Sequence, residues 1–173
     1  RRWPRWGTQV APEGVAGVSF GLAARTLAAL YAAFQVLMPA RSLLYPGNTL
    51  WSEEGFRFAW KVMLIEKAGT LELTVSDSAG RSYLVPASRY LTPFQVRMVA
   101  TQPDMIAELA QAIAQDFRAR GQGTVRVYAD AQVSFNGRLH HRLLDPRVDL
   151  AAVTDGLKPK SFIEPAPGEA PLF

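Results

Sequence analysis

The sequence contains no cysteine and only two histidines. Disulfides, thiolate metal sites and cysteine nucleophiles are therefore excluded, and the redox compartment is left open. Imidazole ligation is restricted to His140 and His141, which are neighbours. On a strand, neighbours point to opposite faces, so the pair cannot chelate one ion together. No HxxxH spacing supplies further zinc ligands, and a metal is not expected. GxSxG, a Walker-type loop and GxGxxG are also absent. The net charge is +4, but the basic residues are dispersed, and nucleic acid is not an expected partner. The opening RRWPRWG has no initiator methionine and no signal-peptide architecture, as expected of a piece of a longer protein.

The chain has 173 residues, with 49% hydrophobic and 20% charged. That suits an ordered domain with a core of its own. Residues Val15 to Met38 carry one charge, Arg25. About 20 apolar residues span a bilayer as a helix, so the segment is long enough. Gly17, Gly21 and the mid-segment Arg25 count against spanning. Arg1, Arg2, Arg5, Trp3 and Trp6 precede the run, in keeping with a cytoplasmic flank and an interfacial aromatic belt. Two readings stand, a last membrane helix or a buried helix of a soluble domain. The Ala- and Leu-rich half from Leu22 is strongly helical, and Pro39 is expected to stop it.

A turn-rich linker around Pro46-Gly47-Asn48 comes next. Phe56 to Glu66 is apolar and β-prone and reads as a strand. Lys67-Ala68-Gly69 reads as a hairpin turn and Thr70 to Ser76 as a half-buried strand. Asp77 to Gly80 is a turn, and a strand from Arg81 ends at Pro86. Thr92-Pro93 opens a short helix. A longer helix begins after Gln102-Pro103-Asp104, with Met105, Ile106, Leu109, Ala110, Ile113 and Phe117 on one face. Gly121 and Gly123 end it. Val125 to Phe135 alternates again. Asn136-Gly137 is a two-residue hairpin signal, with a return strand over Arg138 to Leu144. The part from Lys158 reads as a surface segment or connection. The predicted fold class is α+β: an apolar, membrane-type helix, then a mainly antiparallel sheet with two inserted helices. The predicted boundaries are 1–39 for the basic flank and helix, 40–165 for the domain and 166–173 for a tail.

Glu53-Glu54 could cap the next segment or bind a cation, and with Ser52 before them a turn or helix start is the simpler reading. Asp145 and Asp149 offer a pair of carboxylates, but Arg142 and Arg147 stand beside them. Ionised partners in a structural network are the simpler reading. If Phe56, Phe58 and Trp60 share a strand face, Arg57 and Lys61 share the opposite one. Such a cationic face suits an acidic side chain, and equally suits solvent with the aromatics in a core.

Four stretches together resemble one family: Gln35–Leu64, Tyr90–Ala110, Val133–Arg138 and Leu143–Ala151. They carry, in order, PxRxxxYPGN, WxEEGxRFxW, PDMI, NGR and DPRVDLA. The chain is similar to the C-terminal part of vitamin K-dependent gamma-carboxylases and their bacterial relatives, the horizontally transmitted transmembrane-domain proteins. The resemblance covers about residues 30–165. It implies an integral membrane enzyme whose C-terminal domain is extracytoplasmic, lumenal in animals. In such enzymes reduced vitamin K (a quinol) reacts with O2, and the base so formed takes the γ proton of a protein glutamate. CO2 then adds to the carbanion.

The resemblance places the essential basic lysine in the membrane portion, so this segment alone is expected to be inactive. It also implies that Arg57, Trp60 and Lys61 contact the glutamyl substrate. Animal members have a histidine where the match places Ile65. Asn136, Arg138, Asp145, Arg147 and Asp149 are expected to be structural. The implied partners are the chain's own upstream transmembrane domain, a glutamate-containing peptide or protein, and the membrane. From another functional class, a non-catalytic extracytoplasmic interaction module is the alternative.

Overall fold

The computed structural model describes residues 21–61, 63–154 and 156–168. The chain forms two compact units, Arg1–Val36 and Leu37–Phe173. Helix α1 covers Leu22–Ala40 and has no buried residue. Leu22, Leu27, Leu30, Phe34 and Leu37 are all exposed. At ~1.5 Å per residue α1 is about 28 Å long, close to the thickness of a bilayer core. The stretch Leu22–Leu44 is long and apolar enough to cross a membrane, by length and composition. Of the predicted helical segment, 15–20 lies outside the described residues. Pro39 does not stop the helix but sits in its last turn. The backbone then tightens into a 3₁₀ turn over Arg41–Leu44.

Asn48 caps the one-turn helix α2, Thr49–Ser52, through a side-chain acceptor for the Leu50 amide. Glu53 ends α2 in the left-handed region at φ 57°. The apolar run 56–66 is not the expected strand. It is a chain of turns, with Ala59 N donating to Phe56 O and positive φ at Phe58 and Met63. Tertiary contacts override its β propensity. Arg41 donates to the Arg57 carbonyl (2.8 Å), and Lys61 donates to the Thr49 hydroxyl. Lys67-Ala68-Gly69 is not a hairpin turn either. These residues begin β1, Lys67–Ser76.

Turn residues Asp77 to Gly80 lead into β2, Ser82–Leu84, as predicted. Helix α3, Pro93–Val99, starts with a full capping box between Thr92 and Gln95. Helix α4, Pro103–Ala119, follows and gives way to Gly121 at φ 74°. Strand β3, Arg126–Phe135, alternates buried and half-exposed residues over its length, and β4 is only His141–Arg142. The sheet order is β2-β1-β3-β4, antiparallel throughout. The α+β reading holds.

The core lies between α4 and one face of the sheet. From α4 come Ile106, Leu109, Ala110 and Ile113; from the strands come Leu73, Val75, Val127, Ala129, Ala131 and Val133. Alanines on both sides let helix and sheet approach closely. Trp51 is 1% exposed and meets Phe135 edge-on at 5.6 Å. Its indole N–H donates to the Glu164 carbonyl at 2.8 Å. The C-terminal part is therefore more than a surface connection. Phe162 is buried, Leu144 bridges Ile163, and Glu164 N donates to Leu143 O.

Trp51 thus joins α2, the end of β3 and the C-terminal strap. Trp51→Ala is expected to lower unfolding free energy by ~3–5 kcal/mol, the range for large-to-small core changes. Trp51→Phe, which keeps the ring contact and leaves the Glu164 carbonyl unpaired, is expected to cost about 1–2 kcal/mol. Urea unfolding of the two variants in parallel measures both. Equal losses would mean that the ring does not pack as described.

Candidate functional site

A groove of about 780 Å³ runs between the 56–65 turns, the start of β1 and the end of α3. Its lining includes four cations, Arg57, Lys61, Lys67 and Arg97, and one carboxylate, Glu53. The apolar walls come from Phe56, Phe58, Met63, Leu64, Ile65 and Met98. The local sequence explains each placement. Arg57 is held by Asp104 in the first turn of α4, at 2.7 Å. That pair is largely exposed, so it orients more than it stabilises. Gly55 lets the chain double back at φ 65°, since a Cβ there would lie 2.8 Å from the Tyr45 ring and 2.9 Å from the Ser42 backbone.

Lys67 forms the floor. Its ammonium donates to Glu53 at 2.7 Å and to the Trp51 carbonyl at 2.6 Å, and it lies 5.7 Å from the Trp51 ring centre. Burial pulls its pKa below the ordinary lysine value, and the Glu53 carboxylate opposes that shift. Lys61 and Arg97, by contrast, have no carboxylate partner among the described residues. The groove therefore presents net positive charge beside apolar walls, an arrangement suited to a carboxylate on an apolar stem.

Of the sequence-predicted substrate residues, Arg57 and Lys61 come together on the groove. Trp60 does not line it, and the residue is 76% exposed. The premise that Phe56, Phe58 and Trp60 share a strand face fails, because among the described residues no strand forms there. Sequence reasoning missed Lys67, Gly69 and Arg97, and it favoured a turn or helix start for Glu53 over a cation partner.

The predicted structural residues occupy other places. Asn136 and Gly137 form a tight turn at φ 46° and 72°, closed by Arg138 N to Phe135 O. The return strand is shorter than predicted and regular only at His141–Arg142. Asn136 also clamps the groove wall. Its side chain accepts from Glu66 N and donates to Leu64 O, and its own amide donates to Glu66 O. Arg138 stacks over the Phe135 ring. Arg142 pairs with Asp130 at 3.3 Å, and its charge also acts on Asp145. Among the described residues Asp149 pairs with no arginine; its Oδ1 accepts from the amides of Val127 and Ala151. Val127 lies past the short β4, so Asp149 supplies the acceptor that a longer strand would have provided. No histidine- or carboxylate-rich metal cluster occurs among the described residues.

The family model of the vitamin K-dependent gamma-carboxylase, lumenal domain, matches residues 22–169. The chain belongs to this family. No solved structure matches it. The match includes the apolar helix and every groove residue named above, so the groove is a feature of this lumenal domain.

Asp145 carries the clearest titration in the DPRVDLA motif. Hydrogen bonds from the Arg147 guanidinium (2.8 Å) and amide (2.9 Å) hold its carboxyl at about 2, below the ordinary 3.8. A lowered folded pKa means a contribution that is complete above the unfolded value and is lost as pH falls through the folded one. The expected outcome is a carboxyl ¹³C titration of Asp145 with its midpoint at about 2. In Asp145→Asn, the part of the acid destabilisation that falls between these two pKa values should disappear. A midpoint near 3.8 would show that the Arg147 contacts do not persist in solution.

Proposed function

We propose that this lumenal domain binds a glutamate-containing segment of a protein substrate and presents it to a membrane-embedded catalytic site upstream, with the domain itself on the extracytoplasmic side. The observation that carries the reading is the groove's charge, set among apolar walls: with Arg57 paired to Asp104 and Lys67 to Glu53, Lys61 and Arg97 are left without a carboxylate partner among the described residues. Lys61 and Arg57 are assigned to the glutamate carboxylate. Trp60, exposed next to Lys61 in the chain, is assigned to the peptide around it.

The chemistry of the family gives these cations a second use. Removing a proton from the carbon next to a carboxylate builds further negative charge on that group. Fixed cations beside it offset the charge as it develops. In the full-length protein the base would come from reduced vitamin K and O2 in the membrane portion, with CO2 as the second substrate. The groove's donors fit a carboxylate rather than the fused ring of a quinol, so no step through vitamin K is assigned to this domain. Ile65 lines the groove, and it brings no titratable group to that position.

The test is the affinity of a labelled glutamate-rich peptide for the full chain in detergent, against its glutamine counterpart. One charge-assisted hydrogen bond is worth ~1.5–3 kcal/mol, so the glutamine peptide should bind about tenfold or more weakly. Lys61→Met and Trp60→Ala should each weaken the glutamate peptide while leaving the fold intact by circular dichroism. Equal affinity for the two peptides would defeat the reading. Unchanged binding by folded Trp60→Ala would remove Trp60 from the site.

A further inference from the structure

One side of β1 is only partly used. In an antiparallel ladder, alternate residues turn their backbone groups to opposite neighbours. Asn136 N donates to Glu66 O across to β3, and Val85 N donates to Leu73 O across to β2. Even-numbered residues of β1 therefore face β3, and odd-numbered residues face the other side. On that side β2 pairs with β1 only at Thr74–Ser76. Pro86 follows Val85 and has no amide to continue the ladder, and the chain turns away into a 3₁₀ turn over Ala87–Arg89. The outward backbone groups of Lys67 and Gly69 are left without a backbone partner among the described residues. Both residues line the groove.

An open sheet edge is a template for another extended chain. Here it is exposed for a short length only, and Gly69 has no side chain to screen it. The surrounding charge selects the visitor. Lys61 and Arg97 face the same groove without carboxylate partners, and Arg57 adds a third cation. A basic segment would be repelled and a neutral one left indifferent. We propose that the open edge of β1 at Lys67 and Gly69 takes up an extended, glutamate-bearing segment as an added strand, in line with β2. This rests on the groove being the substrate site, and it specifies the conformation in which substrate is held. Alternate side chains of the added strand point to the same face. Glutamates two apart would then share the cationic side, while the residues between them point away.

The test uses the full chain in detergent and a fluorescent peptide of about eight residues alternating glutamate and valine, long enough at ~3.3 Å per residue to cover the edge. Two further versions carry backbone N-methyl groups, on the glutamates in one and on the valines in the other. A strand bonds to one neighbour through every second residue. One methylated peptide should therefore lose about tenfold or more in affinity, and the other should stay within about twofold of the parent. Equal affinity of both methylated peptides overturns strand addition while leaving the groove as a carboxylate site, provided the parent binds better than its glutamine version. Failure of the parent peptide to bind overturns both readings together.

Discussion

Lys67 carries its ammonium to a place where only 3% of its side chain meets solvent, and Glu53 meets it there at 2.7 Å. Removing one partner of such a pair leaves a buried charge uncompensated, at a cost of about 3–5 kcal/mol. The pair joins the residue that ends α2 to the residue that begins β1. Everything between them, the 56–65 turns that form one wall of the groove, is closed into a loop by that contact. Asn136 fastens the far end of the same loop to the turn after β3. Two polar clamps thus hold an apolar stretch in a shape its own propensities do not favour, with positive φ at Phe58 and Met63. Bulky residues in that region are strained, and such strain is kept where the surroundings over-determine it.

The consequence is a groove with unequal charge. Lys67 is satisfied internally, so it shapes the floor without competing for ligand. Arg57 is oriented by Asp104. Lys61 and Arg97 keep no carboxylate partner among the described residues. The same closure of the loop leaves the first residues of β1 without a strand on their outer side, so charge selection and backbone pairing are offered in one place. A domain of this family that receives a glutamate needs both a means of holding the carboxylate and a means of fixing the chain that carries it. Orientation of the reacting group is a large part of what a binding domain contributes to catalysis.

Much of the scaffold was legible from periodicity and caps. Residues Val127 to Phe135 alternate because one sheet face meets α4, and the pattern shows at once. Thr92-Pro93 and Gln102-Pro103 mark helix starts that the structure keeps. The 56–66 segment was misread for a physical reason. Its apolar, aromatic content is equally good for a strand and for a clamped loop, and only partners distant in sequence decide between them. Arg41, Thr49 and Asn136 are those partners, and none is visible from the segment itself. Gly69 looked like a turn residue. It lies in β1, where an added Cβ would come within 2.7 Å of the Gln132 carbonyl. Glu53 and Arg57 stand in the family motif and Lys61 just after it, whereas the place of Lys67 and Arg97 in the groove lining required the fold.

Residue-resolved amide exchange of the full chain, free and saturated with the glutamate–valine peptide, goes directly to the central claim that substrate lies along the open edge of β1. The amides of Ala68 and Thr70 already face β3 and should be protected in both states. The amides of Lys67 and Gly69 should exchange readily in the free protein and slow markedly in the complex. No change at Lys67 and Gly69 under saturating peptide would contradict the account, since a chain held in the groove would then be held without touching the edge.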